Sequence, residues 1–344
     1  MNGSMRAVMF YAPREIRLVD APIGVPGPGE VLIKVGAALT CGTDFKAYRQ
    51  GHPVLLGKLP SPFGHELAGT IMEVGATVTR FKAGDRVAAA NSAPCDRCFF
   101  CARGQNQLCE NLNLHNGAYA EYNVVPARIV KHNMHVLPAG MDFSLAALSE
   151  PLACALHAVD VLGVRPGEQT AIIGAGTMSL LLTQSLAARG ARVIVVGRSR
   201  ENLETAKAAG AVETVSIEDG DPVAEVRRRT EGRGADCVIE AVGRPETWEQ
   251  SIAMVRKGGR VCLFGGCAKG TQVPVDAHRI HYGQIALHGV FHYTPKHFTT
   301  ALELLRSGKV DPGLLISGSI PLSEVPSFFD RLHGKSNPKV TVIP

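Results

Sequence analysis

Short apolar runs alternate with helix-like segments along the chain from about residue 168. The apolar runs include TAIIGAG, RVIVVG, DCVIEAVG and RVCLFGG, and helix-forming stretches such as RENLETAKAAG follow them. Unbroken runs rich in β-branched residues indicate strands buried on both faces, and a helix after each strand is typical of a parallel sheet. The pattern predicts an α/β fold in which residues 153–288 form a doubly wound parallel-sheet domain.

The first 150 residues follow a different pattern. Short alternating segments such as EVLIKVGAA and LAGTIMEVG are separated by Gly and Pro clusters such as GVPGPGE. Alternation with a period of two is typical of half-buried strands, and the Gly and Pro clusters indicate turns. Residues 1–152 are therefore predicted to form a compact, mostly antiparallel β domain. The segment 289–344 returns to a helix and short strands, which can complete either domain.

Length and composition are those of a globular protein with two domains. The chain has 344 residues, with 45% hydrophobic and 19% charged, and one hydrophobic core rarely spans that length. The 36 basic and 31 acidic residues are spread along the chain, which argues against a nucleic-acid surface. The most apolar window, residues 180–188, is too short to span a membrane, and no secretory pattern begins the chain. We expect a cytoplasmic protein that binds neither nucleic acid nor membrane.

Four of the nine cysteines lie in one short segment, at Cys95, Cys98, Cys101 and Cys109. Without a secretory signal the thiols are expected to be reduced, which makes disulfides the weaker interpretation. Four closely spaced thiolates can enclose a tetrahedral ion, and such a closed set is typical of structural zinc. An iron–sulfur cluster or a redox dithiol is the alternative, but the fourth cysteine follows after seven residues rather than the ferredoxin spacing. We predict structural zinc here, with no open position for a substrate.

A second set of possible ligands is scattered along the chain. It consists of Cys41 in TCGTD, His65 and Glu66 in FGHELAG, and Glu150 in LSEPLACALHA. Each residue alone is weak evidence, since a buried cysteine usually only fills apolar space. One thiolate, one imidazole and two carboxylates from distant segments are together typical of a catalytic zinc site.

These motifs resemble the zinc-dependent medium-chain dehydrogenase/reductase family, and within it the polyol (sorbitol) dehydrogenase branch. The resemblance covers essentially the whole chain. The matching segments are CGTD at 41–44, GHE at 64–66, KAGDRV at 82–87, the four-cysteine segment, EPL at 150–152, GAG at 174–176 and GVFHY at 289–293. The resemblance implies a GroES-like catalytic β domain built from both chain ends, with a Rossmann dinucleotide-binding domain between them.

The resemblance also implies roles for the scattered ligands. Cys41 and His65 match zinc ligands of the family, and Glu66 matches the adjacent carboxylate ligand. Glu150 occupies the position that supplies the remaining ligand or holds the zinc-bound water. The chain would then hold one catalytic and one structural zinc. Open zinc lowers the pKa of a substrate hydroxyl, so that hydride can pass to a nicotinamide.

The proton path departs from the family pattern. Thr43 matches the hydroxyl that passes the alcohol proton away from the metal, and Asp44 matches the partner that orients the histidine ligand. Many relatives have a histidine five residues beyond the first cysteine ligand, where this chain has Lys46. Lys46 could release a proton or contact the cofactor or an anionic substrate group. His52 is a second candidate for the end of the path.

The segment IIGAGTMS at 172–179 follows a predicted strand and opens a predicted helix. Gly174 and Gly176 suit the tight turn and the close approach of backbone to a pyrophosphate, with Thr177 and Met178 beside them. Serine at position 179 replaces the third glycine of the usual fingerprint. Val242 and Phe264, after two later strands, complete the predicted cofactor contacts.

The end of the second strand carries the signal for cofactor choice. NAD-specific folds place an acidic residue there, whereas an arginine nearby accommodates the 2′-phosphate of NADP. This chain has Gly197, Arg198, Ser199 and Arg200. Two guanidinium groups and a hydroxyl offer a phosphate fork, so we predict NADP(H), with NAD(H) as the alternative.

The segment GVFHYTP at 289–295 resembles the polyol branch, in which an arginine stands at the place of His292. Lys46, Phe291 and His292 are therefore expected at the substrate pocket. We predict hydride transfer between the cofactor and a small secondary alcohol of the polyol, cyclitol or sugar alcohol class, in a homodimer or homotetramer. The alternatives are an L-threonine 3-dehydrogenase-like enzyme, a sugar-phosphate alcohol dehydrogenase, or a non-catalytic protein on the same fold.

Overall fold

The computed structural model of the protein describes residues 3–52, 55–332 and 339–344. The strands are β1 Ser4–Ala12, β2 Glu15–Pro22, β3 Val31–Leu39, β4 Ser61–Pro62, β5 Glu66–Val74, β6 Arg86–Ala89, β7 Ser92–Ala93, β8 Asn113–Leu114, β9 Tyr122–Val125, β10 Met134–Val136, β11 Gln169–Ile173, β12 Arg192–Gly197, β13 Ala211–Ser216, β14 Ala235–Glu240, β15 Val255–Leu263, β16 Ala286–Gly289, β17 Ile316–Pro321 and β18 Lys339–Ile343. The helices are α1 Gly42–Gln50, α2 Ala127–His132, α3 Phe143–Ala147, α4 Ser149–Leu162, α5 Thr177–Ala187, α6 Arg200–Ala208, α7 Pro222–Arg229, α8 Pro245–Met254, α9 Ala277–Gly283, α10 Pro295–Arg306 and α11 Val325–Arg331.

The chain divides into two compact units. The first contains the chain up to Pro151 together with Thr294–Ser307 and Ile316–Pro344, and the second contains Leu152–Tyr293 and Gly308–Leu315. This division differs from the predicted boundaries of 1–152, 153–288 and 289–344 in two segments.

Both segments stay with the second unit because side chains of that unit hold them. Residues 289–293 are fixed by His157, whose Nδ1 lies 2.8 Å from the carbonyl oxygen of His292. Residues 308–315 are fixed by Gln184, whose Oε1 accepts a hydrogen bond from the backbone N–H of Asp311 at 2.6 Å.

The first unit is built on a seven-stranded sheet in the order β10-β6-β5-β3-β18-β17, with β9 also paired to β3. The C-terminal strand β18 runs antiparallel to β3 and parallel to β17. A smaller sheet has the order β2-β1-β4. Both ends of the chain therefore contribute to one β domain, as the resemblance implied.

Aromatic side chains fill the core between α1 and α11 in this unit. Phe45 stacks on Phe329 with ring centroids 4.4 Å apart, and Phe63 meets the same ring edge-on at 5.6 Å. Burial of such rings is worth about 1.5–3 kcal/mol each. Because Phe45 belongs to α1, this packing also fixes the helix that carries the candidate site.

The second unit is a six-stranded parallel sheet in the order β13-β12-β11-β14-β15-β16. Its strands are apolar along almost their whole length, and the residues of β12 from Val193 to Gly197 are all buried. Strands buried on both faces need helices on both sides of the sheet. The predicted doubly wound domain is confirmed.

One apolar helical stretch in the described chain is long enough to cross a membrane. It comprises α3 and α4, residues Phe143–Leu162, and 78% of its most apolar window is buried inside the protein. It is a different segment from the apolar window at 180–188 that the sequence pattern indicates. Burial of this extent is typical of a core helix.

Candidate active site and metal centres

Three of the predicted zinc ligands meet at the ends of two central strands of the large sheet, where β3 ends and β5 begins. Cys41 follows the end of β3, and Glu66 begins β5, whose first residue pairs with Leu39. The Cys41 sulfur, a ring nitrogen of His65 and a carboxylate oxygen of Glu66 all lie within 4.8 Å of one another. Antiparallel pairing thus brings together residues that the sequence separates.

The thiol of Cys41 lies at the N-terminus of α1. Its sulfur accepts a hydrogen bond from the backbone N–H of Thr43 at 3.5 Å, and its own N–H donates to Asp44 Oδ2 at 3.1 Å. Burial, followed by the neighbouring Glu66 carboxylate, raises the pKa of this thiol. A bound dication reverses that effect, because a coordinating thiol is deprotonated.

His65 is held by a chain of two hydrogen bonds. Its Nδ1 lies 2.9 Å from Asp44 Oδ1, and Tyr119 donates its hydroxyl proton to Asp44 Oδ2 at 2.5 Å. Burial alone would lower the pKa of His65, but Asp44 and Cys41 outweigh it and raise this pKa well above its usual value. With Nδ1 bonded to a carboxylate, Nε2 is the nitrogen left for a metal.

Gly64 leaves space for the ring of Tyr119 in this hydrogen-bonded arrangement. Its φ is +82°, and a Cβ there would lie 2.7 Å from the ring of Tyr119. Only glycine combines that backbone conformation with that close approach. The role of Tyr119 could not be predicted, because nothing in the segment GAYAEY distinguishes it from a core tyrosine.

Glu66 has one paired and one unpaired carboxylate oxygen. Oε2 accepts a hydrogen bond from Lys339 Nζ at 2.5 Å, whereas Oε1 is buried and has no partner among the described residues. An unpaired buried carboxylate oxygen is costly unless a cation binds it. Because Glu66 also belongs to the Cys41–His65 group, the residues present fit zinc. No sequence motif predicted a role for Lys339.

Glu150 lies in the first turn of α4 and is also buried. Burial, together with the negative charge of Glu66 and against the opposing effect of His65, raises the pKa of Glu150 to about 7. Glu150 does not belong to the 4.8 Å group that Cys41, His65 and Glu66 form in the described part of the chain. The geometry therefore favours Glu66 as the carboxylate ligand.

The four-cysteine segment forms a separate cluster. The sulfurs of Cys95, Cys98, Cys101 and Cys109 all lie within 4.8 Å of one another. The backbone N–H of Cys101 lowers the pKa of Cys98 to about 6, whereas burial raises the pKa of Cys109 to about 12. The cluster suits a closed tetrahedral ion because all four donors come from one loop.

The predicted pyrophosphate segment joins β11 to α5. Gly174 has a φ of +118°, and a Cβ there would lie 3.1 Å from Ser179 Oγ. Gly176 precedes the first residue of α5, and the space where its side chain would stand is open. Thr177 and Met178 begin the helix. An anion can therefore approach the backbone N–H groups at the N-terminus of α5.

Val242 and Phe264 lie just beyond β14 and β15, at the same carboxyl edge of the sheet as the end of β11. Val242 is exposed and Phe264 is half-buried. Dinucleotides bind open α/β sheets at this edge. The structure thus places all the predicted cofactor segments on the expected side of the sheet.

The two arginines of the predicted phosphate fork, which follow β12, have different surroundings. Arg200 forms an ion pair with Asp219 at 2.7 Å, so its guanidinium is already engaged. Ser199 caps α6 by accepting from the backbone N–H of Asn202. The exposed Arg198 forms no hydrogen bond or ion pair within the described ranges. An exposed ion pair of this kind contributes little stability, so both arginines remain predicted phosphate contacts, and Arg198 is the one without an ion pair in the described chain.

The packing around position 197 leaves no space for a side chain. A Cβ at Gly197 would lie 2.7 Å from the Cβ of Ala175 and 3.1 Å from Leu203. The acidic side chain that NAD-specific folds place at this position would not fit without a backbone shift.

The remaining predicted pocket residues lie in different units. Lys46 is exposed on α1 of the first unit, while Phe291, 59% exposed, and His292 belong to the second. His292 has a positive φ of 57°. His52 accepts a hydrogen bond from the backbone N–H of Leu55 at Nδ1, and burial followed by Lys46 lowers its pKa.

A GroES-like β domain with a buried Cys–His–Glu cluster, together with a doubly wound domain with a dinucleotide fingerprint, defines a zinc-dependent dehydrogenase. The family model for the alcohol dehydrogenase GroES-like domain matches residues 27–135, and the model for zinc-binding dehydrogenases matches residues 177–307. The chain belongs to the zinc-dependent medium-chain dehydrogenase/reductase family.

Several named proteins are similar to this chain over nearly its whole length. Sorbitol dehydrogenase from Bacillus subtilis (strain 168) is 31% identical, covering 95% of this chain and 93% of its own. L-threonine 3-dehydrogenase from the same organism is 34% identical, covering 100% and 99%. The crystal structure of a dehydrogenase from Sinorhizobium meliloti 1021 bound to NADP superposes with a TM-score of 0.92 at 32% identity, covering 99% of this chain and 100% of that one.

Proposed function

We propose that this protein is an NADP-preferring dehydrogenase of polyols or related secondary alcohols, with one catalytic and one structural zinc per chain. The observation that supports it best is that Glu66, which lies in one group with Cys41 and His65, has a buried Oε1 that no described residue pairs with. A site with one thiolate, one imidazole and one carboxylate leaves a position for substrate.

The residues of the chain hold and orient the site. Cys41, His65 and Glu66 would hold the zinc, and Asp44 keeps the His65 ring in one orientation. When bound, zinc supplies a Lewis acid that lowers the pKa of an alcohol and polarises a carbonyl, and the nicotinamide exchanges the hydride.

The proton leaves along α1. Thr43 is half-buried in the first turn of this helix, beside Cys41, and its hydroxyl is assigned to receive the alcohol proton. Lys46 is three residues further along, so it lies on the same face of the helix. It is exposed, and the proton path therefore reaches solvent there.

Three observations support NADP over NAD. Gly197 has no room for an acidic side chain, Arg198 is exposed and unengaged, and the relative from Sinorhizobium meliloti binds NADP. A guanidinium bonded to a phosphate contributes about 1.5–3 kcal/mol. We expect Arg198→Ala to raise the KM for NADP by about 10–100-fold and to leave the KM for NAD nearly unchanged.

Arg192→Ala is the matched control, because Arg192 is also exposed and lies at the opposite end of β12. It should change neither KM. A wild-type enzyme that prefers NAD, with that preference unchanged in Arg198→Ala, would refute the assignment.

Polyols are the first substrate class because of the likeness to sorbitol dehydrogenase. L-threonine is the second candidate, because a threonine dehydrogenase is 34% identical over the full chain. A screen of sugar alcohols, cyclitols, their phosphates and L-threonine against both cofactors separates these classes. Turnover of L-threonine alone would overturn the polyol assignment.

Metal analysis tests the site itself. We expect two zinc ions per chain in the wild-type protein and one in Cys41→Ser, which should fold but lose hydride transfer. One zinc in the wild type, or no turnover of any alcohol, would contradict the proposal. A cytoplasmic location and a homodimer or homotetramer remain predictions, which cell fractionation and light scattering can check.

A further inference from the structure

We propose that Lys339 is a positioning residue that holds Glu66 by one oxygen, so that only Oε1 can bind the metal. The proposal rests on the catalytic zinc site of the proposed function and goes beyond it. No motif in the sequence marks this lysine, which lies 273 residues from its partner.

The position of Lys339 is fixed by the backbone around it. Strand β18 pairs with β3, where Thr341 lies opposite Leu39. The N–H of Val340 donates to Thr40 Oγ1 at 2.9 Å, and the N–H of Thr40 donates to the carbonyl oxygen of Val340 at 3.1 Å. The strand end therefore cannot move away from the residue that precedes Cys41.

The ammonium group is held at two further points. Nζ donates to the carbonyl oxygen of Thr40 at 2.9 Å and to Glu66 Oε2 at 2.5 Å. The side chains of Lys339 and Glu66 are 3% and 0% exposed. A buried ammonium and a buried carboxylate keep their charges only as a pair, since either one alone would be strongly disfavoured.

This arrangement controls how Glu66 can act. With Oε2 bonded to Lys339, the carboxylate offers the metal a single oxygen. The lysine also balances the negative charge of the carboxylate. The ligand set therefore neutralises less of the positive charge of the metal. Partners of this kind orient metal ligands and tune the metal that they hold.

The same contacts predict the behaviour of an amide at position 66. In Glu66→Gln, Lys339 can donate only to the amide oxygen, because the amide nitrogen is itself a donor. The NH₂ group would then face the metal and could not bind it. Removal of the lysine would free the amide to rotate and to present its oxygen to the metal.

The test is a metal titration that includes this rescue. Protein dialysed to one zinc per chain is titrated with Co²⁺, whose visible bands report the coordination of the vacated site. Glu66→Gln should weaken Co²⁺ binding by about 10–100-fold. The double variant Glu66→Gln/Lys339→Met should recover at least about tenfold of that loss, and it should fold because no unpaired buried charge remains.

Single variants at 339 supply a second readout. Lys339→Met in an otherwise wild-type chain should change the Co²⁺ spectrum, because both carboxylate oxygens become available. Lys339→Arg keeps the charge and the donors and should preserve the spectrum. Lys82→Met, at an exposed lysine in the same unit, is the matched control.

The outcomes separate the two claims. A double variant that binds Co²⁺ no better than Glu66→Gln overturns the role of Lys339, whether or not Lys339→Met folds. An unchanged spectrum in folded Lys339→Met overturns it as well. Wild-type protein that takes up no Co²⁺ after dialysis would instead refute the proposed catalytic metal site.

Discussion

Replacement of Tyr119 by phenylalanine should destabilise the first unit and loosen the metal site together. Tyr119 is fully buried, and its hydroxyl donates to Asp44 Oδ2 at 2.5 Å. The variant keeps the ring and its edge-on contact with Phe63 at 5.7 Å. It loses the hydroxyl group, which donates to the buried carboxylate that also orients His65 and lies 3.2 Å from the carbonyl oxygen of Leu39.

The expected magnitude follows from that bond. A hydrogen bond to a charged group contributes about 1.5–3 kcal/mol, and no water can replace it at this buried position. Asp44 keeps its contacts with His65 Nδ1 and with the N–H of Cys41. Zinc affinity should therefore fall by only about tenfold, at the low end of the effects of outer-shell partners.

Tyr48→Phe provides the matched control in the same unit. The hydroxyl of Tyr48 also donates to an aspartate, Asp330, but that aspartate is exposed and lies outside the metal site. This variant should lose about 0.5–1.5 kcal/mol without a change in zinc affinity. Urea unfolding of the metal-free proteins measures the first quantity, and competition with a chelator measures the second.

Two results would refute the reasoning. One is a loss below about 0.5 kcal/mol in Tyr119→Phe, which would mean that the hydrogen bond to Asp44 carries no net stability. The other is an equal loss of zinc affinity in both variants, which would mean that the effect is a general loosening of the unit.

Further substitutions test the packing around His65 and the structural cluster. Gly64→Ala should cost about 2–5 kcal/mol, from a positive φ and the clash with Tyr119. Gly84→Ala, with a φ of +90° and open space around it, should cost only about 1–2 kcal/mol in thermal or urea unfolding; equal costs would show that the ring contact is unimportant. Cys109→Ser should release one zinc and lower the melting temperature before it alters turnover, whereas Cys267→Ser should keep both zinc ions. A Cys109→Ser protein that folds and holds its zinc yet loses catalysis would contradict the division between structural and catalytic sites.

The dinucleotide-binding unit could be predicted from local patterns. Its strands are short apolar runs because both faces of a parallel sheet are buried, so every residue of a run carries the signal. The four-cysteine cluster was visible for a similar reason, since its donors lie on one loop. The unit boundaries were harder to predict, because contacts between residues distant in sequence, such as the hydrogen bond of Gln184 with Asp311, tie residues 308–315 to the second unit.

The residues around the candidate site could not be predicted from local sequence patterns. Arg200 remains a predicted phosphate contact, but its ion pair with Asp219 could not be predicted, because it depends on where β13 ends. Tyr119 and Lys339 have ordinary neighbours in sequence, and each gains its role only from a partner at least 75 residues away.

The sequence by itself determined the two-domain organisation, the donor atoms of both candidate metal sites and the glycines of the cofactor segment. These features depend on residue type and on spacing within short segments. The tertiary structure alone decided which carboxylate joins Cys41 and His65, and it alone showed that Tyr119 holds Asp44 and that Lys339 holds Glu66. The reason is strand register: pairing of β3 with β5 and β18 fixes these distances, and a shift of one residue would turn each side chain to the other face of the sheet.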